Sequence, residues 1–438
     1  MSTQTLDGPV LDRPSIRPVA ATRSRVFPVL VFFLTFGLLL SDYMSRQVLS
    51  AVFPFLKIEW ALTDTQLGAL TSIVALTVGL LAVPLSLLGD RWGRSKAIIA
   101  MAGLWSLATL GSAVAANYDQ MMLARVFIGL GEAAYGSVGL AVVLMVFSPT
   151  KRASLTGAFM AGGSFGSVLG VFLGGILAVQ FGWRWSFGVM AIVGLVLVVL
   201  YALFINDKKL ARHQHPGNVP TGQSITTKRA KLRTLVSTPS VICAYVASGL
   251  QLFVAGSLFA WLPSYLNRAY GLAPDKAGIA AAGFILLMGV GMIVCGMVTD
   301  RLTKVVPIRK WTTALVYASI SLVLVPLAFA QQPGKLQLLL LALGAFFAAG
   351  TAGPAGAMVA NLTPASIRAT AFGTLTLANN LLGLAAGPLV VGLLADKVGL
   401  VDAMKIMPLV SVLAIIALLI GRRAYPSSIR RAGAVASA

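Results

Sequence analysis

The stretch at residues 123–147, LARVFIGLGEAAYGSVGLAVVLMVF, decides how the rest of the chain is read. A helix needs about 20 apolar residues to cross the hydrocarbon of a bilayer, and this run is long enough. Yet it holds Arg125 and Glu132. A charged side chain at the centre of a spanning helix costs about 2.5–3.5 kcal/mol on insertion scales. Such groups persist where they face a cavity or one another. Seven residues apart, the two share a helix face but are separated by about 10 Å at about 1.5 Å per residue. Each therefore needs a partner from another helix or from a ligand.

The composition places the whole chain in lipid. Of 438 residues, 58% are hydrophobic and 11% charged, against about 25% charged in ordinary soluble domains. Apolar runs recur at roughly 27–55, 66–88, 97–116, 120–147, 154–180, 185–205, 240–266, 276–299, 311–330, 336–361, 368–395 and 401–421. Lipid offers the backbone no hydrogen-bond partner, so each run is expected to be a helix. The reading is an all-α membrane protein with twelve transmembrane helices. Residues 1–25, interrupted by Pro9, Pro14 and Pro18, read as a disordered tail, and the first apolar run is too long for a cleavable signal. Cys243 and Cys295 fall inside separate runs and read as packing residues, not as a disulfide or metal pair.

Charge sets the orientation. If the termini and every second loop lie on one side, that side holds 25 of the 34 Lys and Arg residues. The other side holds seven, and Arg46 and Arg125 lie within the spans. The excess predicts both termini in the cytoplasm, and the expected location is the plasma (inner) membrane. It also accounts for most of the net charge of +21, so nucleic acid is not an expected partner. The lipid bilayer is.

The one long polar interruption is 206–239, which divides the chain into bundles at 26–205 and 240–423 and leaves a tail at 424–438. Its HQHP run, two histidines in a basic loop, reads as solvated linker and not as a metal site. The two bundles repeat. SLLGDRWGRSK (86–96) and GMVTDRLTK (296–304) occupy equivalent loops, with Asp90–Arg91 and Asp300–Arg301 at matching positions. GILAVQFG (175–182) is echoed by GLLADKVG (392–399) at the ends of the fifth and eleventh runs. Parallel repeats of six helices are the plan of one large transporter class.

Here the chain resembles the major facilitator superfamily over residues 26–423. The family motif G-x-x-x-D-R-x-G-R-[RK]-[RK] is matched by Asp90, Arg91, Gly93, Arg94 and Lys96, with Ser86 at the leading glycine and Ser95 at one basic position. The resemblance implies the major facilitator fold, two six-helix halves that rock about a central site. An acid at a helix end can meet the positive N-terminus of another helix, and the neighbouring cations can meet carboxylates or lipid phosphates. Asp90, Arg91, Gly93, Arg94, Lys96, Asp300 and Arg301 are accordingly expected to gate.

Two more charges sit deep, Asp42 and Arg46 in the first run, four residues apart on one face and able to pair. In the major facilitator fold helices 1, 4, 7 and 10 line the cavity, which implies that Asp42, Arg46, Arg125 and Glu132 converge there. Within the superfamily, RVFIGLGEAAYG resembles the helix 4 pattern R-x-x-x-G-x-x-E-A of the anion:cation symporters and the spinster-like transporters, through Arg125, Gly129, Glu132 and Ala133. Their helix 1 pattern N-Y-x-D-R is met by Tyr43 and Arg46, with Asp42 at the Asn and Ser45 at the Asp. Burial disfavours the charged form of a carboxyl and a guanidinium favours it. An arginine that moves from Glu132 to a substrate carboxylate thus links proton and anion binding. Glu132 and Asp42 are the expected proton-coupling residues. Arg46 and Arg125 are expected to bind the anion, assisted by Tyr135, Gln251, Asn379 and Asn380. Trp261 and Tyr265 read as interface anchors. Helix 5, with Gly166, Gly170, Gly174 and Gly175, is expected to pack closely on a neighbour.

The expected function is a secondary active transporter, a proton symporter of a small organic anion that works as a monomer by alternating access. The alternative is a spinster-like carrier of a lysolipid or amphipathic drug, or a proton antiporter. A scaffold does not explain charges at mid-membrane. No nucleotide loop, metal cluster or nucleophile constellation marks an enzyme or an ATP-driven pump, and no cofactor is expected.

Overall fold

The computed structural model describes residues 26–215, 238–304, 306–363 and 367–437. The expected tail at 1–25 lies outside them, as does most of the linker. Twelve helices are long and apolar enough to cross a membrane. We label them α1 (Val26–Glu59), α2 (Asp64–Leu88), α3 (Arg94–Val114), α4 (Tyr118–Val146), α5 (Ser154–Phe181), α6 (Trp183–Phe204), α7 (Pro239–Tyr270), α8 (Pro274–Thr303), α9 (Arg309–Ala330), α10 (Lys335–Leu362), α11 (Thr370–Val398) and α12 (Leu400–Arg430). An even number of crossings returns the chain to its starting face, here called the terminal face. The last helix continues to Ser437, so the segment expected as a tail extends α12. Leu203, Phe33 and Val323 remain exposed on the outside of the bundle, an apolar surface suited to lipid.

The two halves, α1–α6 and α7–α12, repeat in detail. Gly182 separates α5 from α6 with φ +90°, and Gly399 separates α11 from α12 with φ +83°. Only glycine enters this backbone region without strain, which explains why both echoed segments end in Gly. The fourth helix of each half is broken, α4 at Ala133–Ala134 and α10 at Ala349–Thr351. In α11, residues Asn379–Ala385 form a wide π-helical turn just before Gly387–Pro388. Pro388 offers no N–H to the carbonyl four residues back, so the turn loosens where its donor is missing.

Lipid gives helices no hydrophobic reason to associate, so close packing depends on small residues. An added Cβ at Gly166 would lie 2.5 Å from the Leu40 carbonyl of α1, and one at Gly170 would lie 2.7 Å from that of Met44. One at Gly174 would lie 2.8 Å from a side-chain methyl of Val48. The helix 5 glycines thus seat α5 against α1, as expected. Across the halves, Gly175 of α5 meets Pro274 of α8, and Gly68 of α2 meets Pro388 of α11.

Candidate functional site

Between the halves lies a cavity of two lobes. The larger, about 650 Å³, is lined on the N-terminal half by Asp42, Tyr43, Arg46, Glu132 and Ser137, and on the C-terminal half by Thr370, Thr376 and Asn380. It reaches Ser86 and Leu87 near the terminal end of α2. The smaller lobe, about 250 Å³, runs deeper between Gln47, Thr71 and the apolar faces of α7 and α8. Tyr43, Arg46, Met160 and Leu384 line both.

Glu132 ends the first segment of α4, and the break at Ala133–Ala134 follows it. A guanidinium nitrogen of Arg46 lies 3.9 Å from its Oε2. The Asp42 carboxyl lies within hydrogen-bonding reach of that of Glu132. One oxygen of each, Asp42 Oδ1 and Glu132 Oε1, is buried without a protein partner. The Asp42–Arg46 pair expected from their spacing does not close to ion-pair distance, because Arg46 reaches across to α4.

The other expected site residues divide. Asn380 lines the larger lobe; its Nδ2 donates to the Thr376 carbonyl at 2.9 Å, and its Oδ1 is unpartnered. Arg125 lines neither lobe. It is 0% exposed, donates to the Ser45 carbonyl at 3.4 Å, and its guanidinium stands 5.5 Å from the centre of the Phe187 ring. It shares a face with Glu132 as read, but α1 and α6 close over that face one level deeper. Tyr135 also misses the cavity. Its hydroxyl donates to the Thr35 carbonyl at 2.7 Å and its ring stands edge-on to Trp105 at 4.8 Å, in the core of the N-terminal half. Gln251 is buried outside the lobes, and Asn379 is half-buried and not among their lining residues. Residues the sequence reading missed include Gln47, Thr71 and Ser137. Gln47 adjoins Arg46, but an amide there carries no distinguishing pattern.

On the face away from the termini, contacts between the halves close the cavity. Arg268 of α7 donates to both oxygens of Asp64 at the start of α2, at 2.8 and 2.6 Å, and Lys57 reaches Asp64 Oδ1 at 2.6 Å. Asp396 of α11 accepts from the backbone N–H groups of Asp64 and Thr65 at 2.7 and 2.8 Å. A carboxylate there meets both unpaired donors and the positive end of the helix. Trp261 does not anchor at a lipid interface. It is buried, donates to the Pro388 carbonyl at 3.0 Å and packs 5.2 Å from Phe53. Tyr265 is buried too and accepts from Gln337 at 2.8 Å. The capping box Thr63–Gln66 was the one available signal for this region, since it marks an acid-bearing helix start at Asp64.

On the terminal face, the side chain of Asp90 lies outside the described residues. Gly93, at φ +96°, joins α2 to α3. The start of α3 is capped by Asp207 from the linker, which accepts from Ser95 N–H at 2.9 Å, while Ser95 Oγ donates to the Ile205 carbonyl. Arg94 approaches the Met145 sulfur at 3.6 Å; Arg91, Lys96, Asp300 and Arg301 are exposed.

The sequence pattern of the Major Facilitator Superfamily matches residues 34–333 and 258–436. The chain belongs to this family. It is a multi-pass membrane protein. Within the family it is 26% identical to a hexuronate transporter of Bacillus subtilis (strain 168) over 63% of this chain, and it spans just under two thirds, 65%, of that protein's length. It is 28% identical to an MFS-type efflux pump of Mycolicibacterium smegmatis (strain ATCC 700084 / mc(2)155), over 81% of this chain and 82% of the pump. A bacterial homologue of the human lysosomal transporter Spinster, solved in an inward-facing, unoccupied conformation, shares the fold. Its TM-score is 0.80 at 19% identity, over 92% of this chain and 99% of that one.

Proposed function

We propose that this protein is a monomeric transporter that moves an organic anion together with protons by alternating access, with both termini in the cytoplasm and the chain in the plasma (inner) membrane. The observation that carries the reading is the position of Arg46. Among the described residues it is the cation lining the cavity, it lines both lobes, and it stands 3.9 Å from Glu132. An entering anion competes with Glu132 for this guanidinium. Deprived of it, the buried carboxylate takes up a proton, because low-dielectric surroundings disfavour its charge. The anion and the proton then cross together as a neutral pair of additions. Asp42, beside Glu132, accepts or returns that proton, and Asn380 meets the substrate from the C-terminal half. The Asp90–Lys96 and Asp300–Arg301 segments gate the terminal face, and the Asp64–Arg268 contact gates the other. Replacing Glu132 with Gln removes the titratable group and keeps the shape. Proton-driven uptake is then lost while exchange of internal for external anion survives; loss of both, or of neither, refutes the proposal.

A further inference from the structure

The smaller lobe is chemically two-sided. Its N-terminal wall carries the polar groups, Arg46, Tyr43, Gln47, Thr71 and Ser164. On the C-terminal wall every described lining side chain is apolar, with Leu252 and Phe259 from α7, Ile285, Met288 and Met292 from α8, and Leu384 from α11 in front. A polyhydroxylated acid seated on Arg46 in this lobe would turn its far hydroxyls to this wall, where they give up their hydrogen bonds to water and find no partner. An apolar group placed there loses nothing and removes its surface from water. Phe259 beside two methionines suits a flat ring, since thioethers make favourable contacts with aromatic edges.

Size narrows the choice further. At about 250 Å³ the lobe is smaller than the roughly 300–1,000 Å³ of most sites for drug-sized ligands. Its inner end is shut, because Pro388 and Ala260 line it while the adjacent Trp261 donates to the Pro388 carbonyl and packs on Phe53. A long acyl chain would have no continuation in that direction.

We propose that the transported anion is a monoanion with a compact apolar body, an aromatic ring or a short branched chain, whose charge meets Arg46 and whose body packs between Phe259, Met288 and Met292. This inference rests on the anion reading above. It excludes both a sugar acid and a long-chain lysolipid as the preferred substrate. Phe259 and Met292 become specificity-determining residues.

The test uses the full chain, purified, with three probes: 1-naphthalenesulfonate, which stays ionised and does not cross lipid unaided, D-glucuronate, and a lysophosphatidic acid with a long acyl chain. Binding is measured by calorimetry for the native protein and for Phe259→Ser and Met292→Ser, either of which suffices if the other does not fold. The naphthalenesulfonate binds at least tenfold tighter than both other probes, and each Ser variant weakens it at least tenfold without weakening glucuronate. Tighter binding of glucuronate or of the lysolipid overturns the inference, as does a naphthalenesulfonate affinity unchanged in the variants. A pH dye trapped in liposomes separates this from the reading beneath it. Selective naphthalenesulfonate binding with no proton movement leaves the substrate class standing and removes the proton coupling. Proton movement with glucuronate alone does the reverse.

Discussion

Asp64 offers a direct handle on the closed face. It joins Arg268 of the other half through two hydrogen bonds at 2.6 and 2.8 Å, and its side chain is 4% exposed. Hydrogen bonds to charged groups contribute about 1.5–3 kcal/mol net. The Arg268 side chain is 29% exposed, so solvent screening discounts the pair, and about 2 kcal/mol is a fair figure for what spans the halves. The Asp396 contacts to the α2 backbone do not depend on the Asp64 side chain and remain. Asp64→Asn removes the charge and keeps the size. At about 1.4 kcal/mol per tenfold, the closed-to-open ratio on this face falls about thirtyfold. An open form populated at about 1%, within the usual range for a minor state, rises to about a quarter. Spin labels at Asp119 and Lys335, exposed positions on this face in opposite halves, report the separation by pulsed electron resonance. A second, longer distance appears in Asp64→Asn and grows further in Asp64→Asn with Asp396→Asn. A distribution that matches the native one would show that Asp64–Arg268 does not hold the face shut.

Three further outcomes follow from the geometry. Arg46→Gln weakens anion binding at least tenfold, because an ionic hydrogen bond of about 1.5–3 kcal/mol is lost; Arg125→Gln, outside the cavity, shifts the dissociation constant less than threefold in the same titration. Gly166→Val places a side chain against the Leu40 carbonyl, so overpacking of about 1–3 kcal/mol lowers the unfolding midpoint in detergent. Gly399→Ala, at φ +83° with open space around it, also lowers that midpoint, by about 1–3 kcal/mol of backbone strain alone.

The periodic features were legible because they follow from the solvent. Twelve apolar runs, the echo of GILAVQFG in GLLADKVG and the glycines of helix 5 all encode backbone requirements, and each appears in the structure where the sequence put it. Side-chain direction was harder to read. Arg125 and Glu132 do share a face, but nothing in their spacing says where along that face the cavity ends. Tyr135 follows Glu132 by three residues, and the break at Ala133–Ala134 carries it into the core instead. Arg46 had a near partner in Asp42 by spacing, yet a long flexible guanidinium reached the carboxyl on α4. Trp261 and Tyr265 read as interface anchors since a buried aromatic and a belt aromatic look alike in sequence. The Asp64, Arg268 and Asp396 cluster joins positions up to 332 residues apart, a relation that only the packed halves reveal.

The central claim is that anion entry and protonation of Glu132 are one event at Arg46. Liposomes holding the purified protein and a trapped pH dye test it most directly. With no imposed gradient, adding the impermeant anion outside acidifies the lumen in native liposomes, and adding it to Glu132→Gln liposomes does not, although labelled anion still exchanges. Equal acidification by both proteins, or anion uptake by the native protein without any change of lumenal pH, would contradict the account.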